Sequence, residues 1–105
     1  MYKITIKNRR TYKGPGEWIC SSRSPLGNPF VMDTESDRED VIKKYKFWIS
    51  RQINLNDTAT LRELNRLFNR AKKGDLNLIC WCAPKPCHGD VIKKLLEEML
   101  ENEKN

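Results

Sequence analysis

The chain has 105 residues and a mass of 12.4 kDa, enough for one domain with one modest hydrophobic core. It contains no apolar run of the roughly 18 residues that a membrane span requires, and residues 1–10 alternate polar and apolar side chains where a signal peptide is continuously apolar. We therefore expect a cytoplasmic protein with no membrane partner. The formal net charge of +6 is concentrated in residues 1–30, which carry six Lys or Arg against one acid and predict an anionic partner.

Two short strands and a loop are predicted in the first third of the chain. Residues 2–7 alternate polar and apolar side chains with the period of a half-buried strand. Residues 17–21 are β-prone and follow the turn signal Gly14-Pro15-Gly16. The next segment, RSPLGNPF (residues 23–30), contains two prolines and a glycine, which exclude a continuing helix or a central strand. We predict a loop there, with a positive-φ turn at Gly27.

Two amphipathic helices are predicted in the middle of the chain. Apolar side chains recur at helical intervals in residues 37–52, where Ser36 and Glu39 have the spacing of a capping box. A second apolar stripe runs from a cap at Asp57 or Thr58 to Gly74. The first helix also carries three aromatic residues that could form a homo-oligomer interface, and a second copy could complete a pocket that so small a domain cannot enclose. These aromatic residues are Tyr45, Phe47 and Trp48.

A buried strand and a third helix complete the predicted domain. Residues 76–82 are almost wholly apolar, as in a strand that is covered on both faces. Residues 90–101 form an amphipathic helix, and residues 102–105 are a flexible tail. The order β-β-α-α-β-α predicts a small α/β sandwich of Rossmann-like type, a single domain over residues 1–105 with a short, partly parallel sheet. Ligands bind beyond the carboxyl ends of such strands, so residues 20–30 and 80–90 should be neighbours in space.

The segment CWCAPKPCHGD (residues 80–90) holds three of the four cysteines and the only histidine. Cys80, Cys82, Cys87 and His88 have the number and type of ligands that Zn²⁺ requires. However, the adjacent Cys87 and His88 diverge at a helix start, and the usual spacing of two to four residues between paired ligands is missing. Zinc is therefore a minor alternative and no cofactor is expected. Without a secretory signal, a disulfide framework is not expected either.

Cys87 is the candidate reactive thiol of this segment. It directly precedes a predicted helix, whose dipole and free N–H groups stabilise a thiolate, and Lys85 and His88 are close in sequence. His88 and Asp90 are the other candidate catalytic residues, and no catalytic set can be assigned. In the structural alternative, Cys80 and Cys82 are small packing residues, and His88 faces a pocket as a hydrogen-bond donor.

The turn before the last helix is also a candidate anion site. Pro84 and Pro86 restrict its backbone, the N–H groups of residues 87–90 are those that a helix start leaves unpaired, and Gly89 would let an anion approach. Asp90 competes with such an anion, because its carboxylate can cap the helix itself.

The loop of residues 23–30 supplies the other half of the predicted site. Arg23 can bind a phosphate in bidentate fashion, Asn28 suits a base or ribose edge, and Phe30 or Trp18 offers an aromatic face. The predicted ligand-binding residues are Arg23, Ser24, Gly27, Asn28, Lys85, Cys87, His88 and Gly89.

Two segments, RSPLGNPF (residues 23–30) and CWCAPKPCHGDVI (residues 80–92), carry a resemblance to a known family. The chain resembles the family catalogued as domain of unknown function 4326, whose members are small proteins frequent in bacteriophages and bacteria. The resemblance implies a Rossmann-like domain, located in the host cytoplasm if phage-encoded, and it implies no activity. The residues that match the family pattern are Arg23, Gly27, Asn28, Pro29, Phe30, Cys80, Cys82, Pro84, Cys87, His88, Gly89 and Asp90.

Three functions fit these observations. The first is binding of a phosphate-bearing, nucleotide-type small molecule, such as a host immune nucleotide signal that a phage protein sequesters. The second is a nucleoside- or nucleotide-processing enzyme that uses Cys87 and His88. The third is a zinc-stabilised nucleic-acid-binding protein, which we rank last because the chain has no recognised nucleic-acid motif.

Overall fold

The protein folds into a three-stranded parallel sheet with three helices packed on one of its faces. The computed structural model describes residues 3–20, 24–83 and 85–104. The elements, in chain order, are β1 (Ile4–Asn8), β2 (Glu17–Trp18), α1 (Arg38–Asn54), α2 (Thr58–Lys73), β3 (Leu76–Cys80) and α3 (His88–Lys104). This order and the small α/β class confirm the prediction from the sequence.

The last strand in the chain is the central strand of the sheet. β3 lies between β1 and β2 and is parallel to both, so the described sheet is fully parallel. Ile4 pairs with Leu76 at one end of the β1–β3 ladder, and Asn8 pairs with Cys80 at the other. Trp18 of β2 pairs with Ile79. A central parallel strand is covered on both faces, which explains why β3 is the most apolar strand of the three.

The two faces of the sheet are covered differently. Leu76, Leu78 and Cys80 belong to the core beneath the helices. Since side chains alternate along a strand, Asn77 and Ile79 point to the opposite face. The connection of residues 9–16 crosses that face, where the Asn77 side-chain amide donates a hydrogen bond to the Tyr12 hydroxyl (2.9 Å). Gly16 lies so close to Ile79 that a Cβ there would be 2.7 Å from its Cδ1. We call this second face the loop face.

One buried cluster joins the helices to the sheet. α3 contributes Ile92 and Leu96, α1 contributes Ile49, and α2 contributes Leu67, and all four are fully buried. α2 begins at the predicted cap, because the Asp57 carboxylate accepts the backbone N–H of Thr60 (3.0 Å), and Gly74 follows its last residue. No helix in the described ranges is both long and apolar enough to cross a membrane.

The boundaries of two helices differ from the prediction. The capping box is formed by Thr34 and Asp37, not by Ser36 and Glu39, because a 3₁₀ turn over Glu35–Asp37 precedes α1. α3 begins at His88, two residues before the predicted start at Asp90. Asp90 is the third residue of the helix, and its carboxylate accepts the backbone N–H of Cys87, the residue before the helix. It continues through Lys104, beyond the predicted end at residue 101. The flexibility of the predicted tail stays a prediction, and Asn105 lies outside the described residues.

Two predictions about single residues are wrong. No glycine among the described residues has a positive φ, so Gly27 does not mark a left-handed turn, and its N–H donates to the Ser24 carbonyl (3.0 Å) instead. Tyr45 is fully buried, so it is unavailable to the predicted homo-oligomer interface. Trp48 packs partly against the core, whereas Phe47 is 73% exposed. Oligomerisation itself stays a prediction.

Candidate functional site

A small cavity lies between the loop of residues 24–30, the first turns of α1 and the start of α3. Its volume is about 180 Å³. The two segments predicted to be neighbours from the parallel sheet both contribute to it. Its lining residues are Asn28, Phe30, Met32, Arg38, Val41, Ile42, Cys82, Pro86, Cys87 and His88.

The loop of residues 24–30 is held in shape by its own polar groups and by α1. The Ser24 hydroxyl accepts the backbone N–H of Leu26 (3.0 Å), and Leu26 itself is fully buried. The buried Tyr45 hydroxyl donates to the Leu26 carbonyl (2.5 Å). Ser24 and Gly27 are themselves buried and do not line the cavity, so they shape the loop.

Asn28 lines the cavity and has a hydrogen-bond donor that it does not use within the described residues. Its Oδ1 accepts the backbone N–H of Phe30 (2.9 Å), which forms a tight local turn. Its Nδ2 has no acceptor among the residues that the structure describes. Phe30 packs partly against the core and also forms a wall of the cavity. The Asn28 amide therefore has a fixed orientation and a donor that a ligand could use.

His88 lines the same cavity. Its Nε2 donates to the Ile19 carbonyl (2.6 Å), so in the neutral ring the proton is on Nε2 and Nδ1 is an acceptor. Burial lowers the pKa of His88 below its ordinary value of 6.5, which keeps the ring neutral near pH 7. Tyr45 packs edge-on against the imidazole, with ring centroids 5.1 Å apart, and fixes its orientation.

Cys87, the candidate reactive thiol, is a buried side chain. Its Sγ lies 3.3 Å from the Cys80 Sγ, and both side chains are buried. The hydrogen bond from Cys87, helped by the backbone N–H groups of Ala83 and Cys82, lowers the pKa of Cys80. The same hydrogen bond raises the pKa of Cys87, with burial adding to the rise. Within this pair, Cys87 keeps its proton and Cys80 is the more acidic thiol.

Arg38 is a cavity residue that the sequence analysis missed. As the first residue of α1, its guanidinium donates to the Pro86 carbonyl (2.7 Å) and forms a bidentate ion pair with Glu35 (2.9 and 2.6 Å). It also contacts the thiol of Cys82, which lines the cavity. Its side chain is only 14% exposed. A cation is disfavoured at a helix N-terminus. An arginine at the start of a predicted helix was therefore the sequence feature that could have indicated a functional role for Arg38.

Lys85 lies next to the cavity and not in its wall. Its Nζ contacts the same Glu35 carboxylate at 3.1 Å. Hydrogen bonds from Arg38 and Lys85 lower the pKa of Glu35 to about 2. These three side chains leave one positive charge at the cavity rim.

The remaining predicted residues of the helix start have intramolecular roles. The Asp90 carboxylate accepts the Cys87 N–H (3.0 Å), and the Gly89 N–H points to the Cys87 Sγ (3.3 Å). Gly89 is buried against the sheet, where a Cβ would lie 2.8 Å from the Ile19 Cδ1. Neither Gly89 nor Asp90 lines the cavity. Two of the backbone N–H groups predicted to bind an anion, those of Cys87 and Gly89, already have hydrogen-bond acceptors within the protein. Arg23 and Pro84 lie outside the described residues.

The proposed zinc ligands do not converge. Cys80 and Cys87 face each other, whereas Cys82 contacts Arg38 and the His88 Nε2 is directed at the Ile19 carbonyl. Over residues 3–20, 24–83 and 85–104, no three His, Cys, Asp or Glu side chains are grouped in a way that could hold a metal ion. This geometry gives no support to the zinc alternative.

The comparisons with known proteins agree with the sequence pattern. No curated protein and no solved structure matches the chain significantly. A family model described as "Domain of unknown function (DUF4326)" matches residues 3–98, which include both loops that form the cavity. The chain therefore belongs to the DUF4326 family.

Proposed function

We propose that the protein binds a phosphate-bearing, nucleotide-type small molecule, whose polar end enters the cavity between the two family motifs. The observation that carries the proposal is the set of polar groups in the cavity wall. The Asn28 Nδ2 is a donor, the His88 Nδ1 is an acceptor, and the Arg38 guanidinium is a cation. A donor, an acceptor and a cation in an otherwise apolar recess are typical of a small-molecule site.

The size of the cavity limits what can be enclosed. Ligand pockets that bury a whole drug-sized molecule have volumes of about 300 Å³ or more, whereas this cavity has about 180 Å³. One ring or one charged group of a nucleotide fits inside, and the rest of the ligand lies along the rim near Lys85. This fit suits sequestration of a nucleotide, such as a host immune signal removed by a phage protein, because sequestration needs no catalytic group.

The proposal is tested by thermal-shift measurements with a panel of nucleoside mono- and diphosphates, cyclic dinucleotides, ADP-ribose and inorganic phosphate. The informative variant is Asn28→Asp, which keeps the Oδ1 that accepts from Phe30 and replaces the amide donor with a carboxylate oxygen. We expect one nucleotide class to raise the Tm of the wild type by several degrees at saturating concentration. The same nucleotides should have no effect on the Asn28→Asp variant.

The matched control is Asn69→Asp on the exposed side of α2, which makes the same charge change away from the cavity. This variant should respond to the ligand like the wild type. The proposal fails if no nucleotide raises the Tm, or if the two variants respond equally.

A nucleotide-processing enzyme is the second candidate, and the observation that favours it is the neutral His88 ring in the cavity wall. The Nδ1 of this ring has the protonation state of a general base. The more accessible thiol beside it is Cys82 and not the buried Cys87. Chromatography of each stabilising nucleotide after incubation with the protein separates the candidates. Conversion that is lost in a His88→Gln variant favours the enzyme, and recovery of unchanged nucleotide favours the binding protein.

A further inference from the structure

The loop face of the sheet carries a concentrated positive charge. Lys7, Arg9, Arg10 and Lys13 lie at the end of β1 and in the connection that crosses this face. Residues 3–16 contain no Asp or Glu. Glu17 is the first acidic residue after this segment. It forms an ion pair with Arg66 of α2 (2.8 Å), which places its carboxylate on the helix side of the sheet. β1 and the connection of residues 9–16 therefore supply cations without supplying carboxylates.

Two indole rings and a guanidinium stack at the same end of this face. The Arg9 guanidinium lies 4.5 Å from the ring centroids of both Trp18 and Trp81. The Arg10 guanidinium is 5.7 Å from the Trp81 centroid. Trp18 pairs with Ile79 in register, and Trp81, which directly follows β3, shares the Arg9 guanidinium with Trp18. The three strands thus end in a layer of alternating aromatic and cationic groups.

Trp81 is the more exposed of the two indole rings in this layer. It is 48% exposed, although it directly follows a strand whose last residues are buried. The cation–π contact with Arg9 favours this position of the indole, and about half of the side chain faces solvent. An exposed aromatic ring surrounded by cations complements a ligand that has both flat rings and negative charges.

Among macromolecules, single-stranded nucleic acid has this chemistry. Its bases are free to stack on indole and guanidinium planes, and its phosphates pair with Arg and Lys. A duplex offers the phosphates but hides the faces of its bases. We propose that the loop face at the carboxyl end of the strands, formed by Arg9, Arg10, Trp18 and Trp81, binds single-stranded nucleic acid. This site is independent of the proposed nucleotide cavity, which is formed by α1 and the start of α3 on the helix side.

The experiment measures binding of fluorescein-labelled oligothymidylate by fluorescence anisotropy over a series of salt concentrations. We expect Kd to rise steeply with salt, as it does when phosphate contacts release counterions. The Trp81→Ala variant should bind at least about five-fold more weakly, the loss typical of one stacked base. Trp81→Phe, which keeps an aromatic face, should recover part of the affinity. Phe47→Ala removes an even more exposed aromatic side chain from α1 and should leave Kd unchanged.

The charge component is measured separately with Arg10→Gln, which removes one cation from the loop face. It should reduce the slope of log K against log salt by about 0.7, the value for one phosphate contact with a single strand. Lys43→Gln on the exposed side of α1 is the matched control and should not change the slope. Circular dichroism spectra that match the wild type establish that each variant is folded.

Three outcomes overturn the proposal: no salt-dependent binding, equal affinities of the wild type and a folded Trp81→Ala variant, or equal affinities for the single strand and a duplex of the same length. The Asn28→Asp variant distinguishes this site from the cavity. It should retain oligothymidylate binding whether or not it loses a nucleotide response, and a parallel loss of both would also contradict two separate sites.

Discussion

At the scale of single residues, His88 has the clearest chemical assignment in the site. The hydrogen bond from its Nε2 to the Ile19 carbonyl fixes its tautomer, and burial lowers its pKa. In the unfolded chain the ring takes up a proton near its ordinary pKa of 6.5, whereas the folded protein resists this until a lower pH. Between these two values the unfolded state binds more protons, so acidification favours unfolding.

We therefore predict that the free energy of unfolding of the wild type falls as the pH is lowered from about 7 to 5. In a His88→Gln variant, whose side-chain amide can still donate to the Ile19 carbonyl, this part of the fall should be absent. Urea unfolding at several pH values measures both profiles. Parallel profiles of the two proteins would show that His88 does not titrate differently on folding.

The cysteines show why residue types alone did not determine their roles. Cys80, Cys82 and Cys87 are close in sequence, yet Cys80 and Cys87 form a buried pair while Cys82 lines the cavity beside Arg38. The sequence correctly indicated that Cys80 packs in the core. It did not show which thiol would keep its proton, because that depends on hydrogen bonds made by the folded turn.

At the scale of elements, the contact between α1 and the loop of residues 24–30 shapes one wall of the cavity. It depends on Tyr45, which is buried beneath the loop and donates its hydroxyl to the Leu26 carbonyl. The helical periodicity of α1 correctly indicated an apolar stripe through this position. The hydrogen bond from the Tyr45 hydroxyl to the loop could not be predicted from that periodicity. Tyr45 and Leu26 are 19 residues apart in the chain, and the loop has no periodic pattern of its own.

We predict that Tyr45→Phe lowers the free energy of unfolding by about 1–2 kcal/mol, because it leaves the buried Leu26 carbonyl without a donor. If the cavity binds nucleotides, the same variant should also weaken that binding, since Leu26 positions the Asn28 loop. Urea unfolding measures the first effect. Phe47→Leu, on the exposed side of the same helix, should change stability by no more than about 0.5 kcal/mol. A Tyr45→Phe variant as stable as this control would contradict the role assigned to the hydroxyl.

At the scale of the whole molecule, one buried cluster joins every helix and the sheet. Its members include Ile4 of β1, Leu26 of the loop, Leu67 of α2 and Leu96 of α3, each with at most 6% of its surface exposed. Because no element has a separate core among the described residues, none should be stable without the others.

We predict that unfolding in urea is a single cooperative transition. Far-UV circular dichroism reports mainly the helices, whereas tryptophan fluorescence reports both the loop face, through Trp18 and Trp81, and α1, through Trp48. The two signals should give the same midpoint. Separated midpoints would show that the sheet and the helical layer unfold independently.

The element order, the α/β class, the cap of α2 and the meeting of the two motif loops were all predicted correctly from the sequence. This was possible because periodicity, capping residues and the direction of parallel strands are local properties or follow directly from them. Three features became evident only in the folded structure: Arg38 enters the cavity, Cys80 and Cys87 form a pair, and Arg9 contacts both Trp18 of β2 and Trp81 after β3. These contacts join residues distant in the chain, and their geometry follows from strand register and helix packing, which no local pattern encodes.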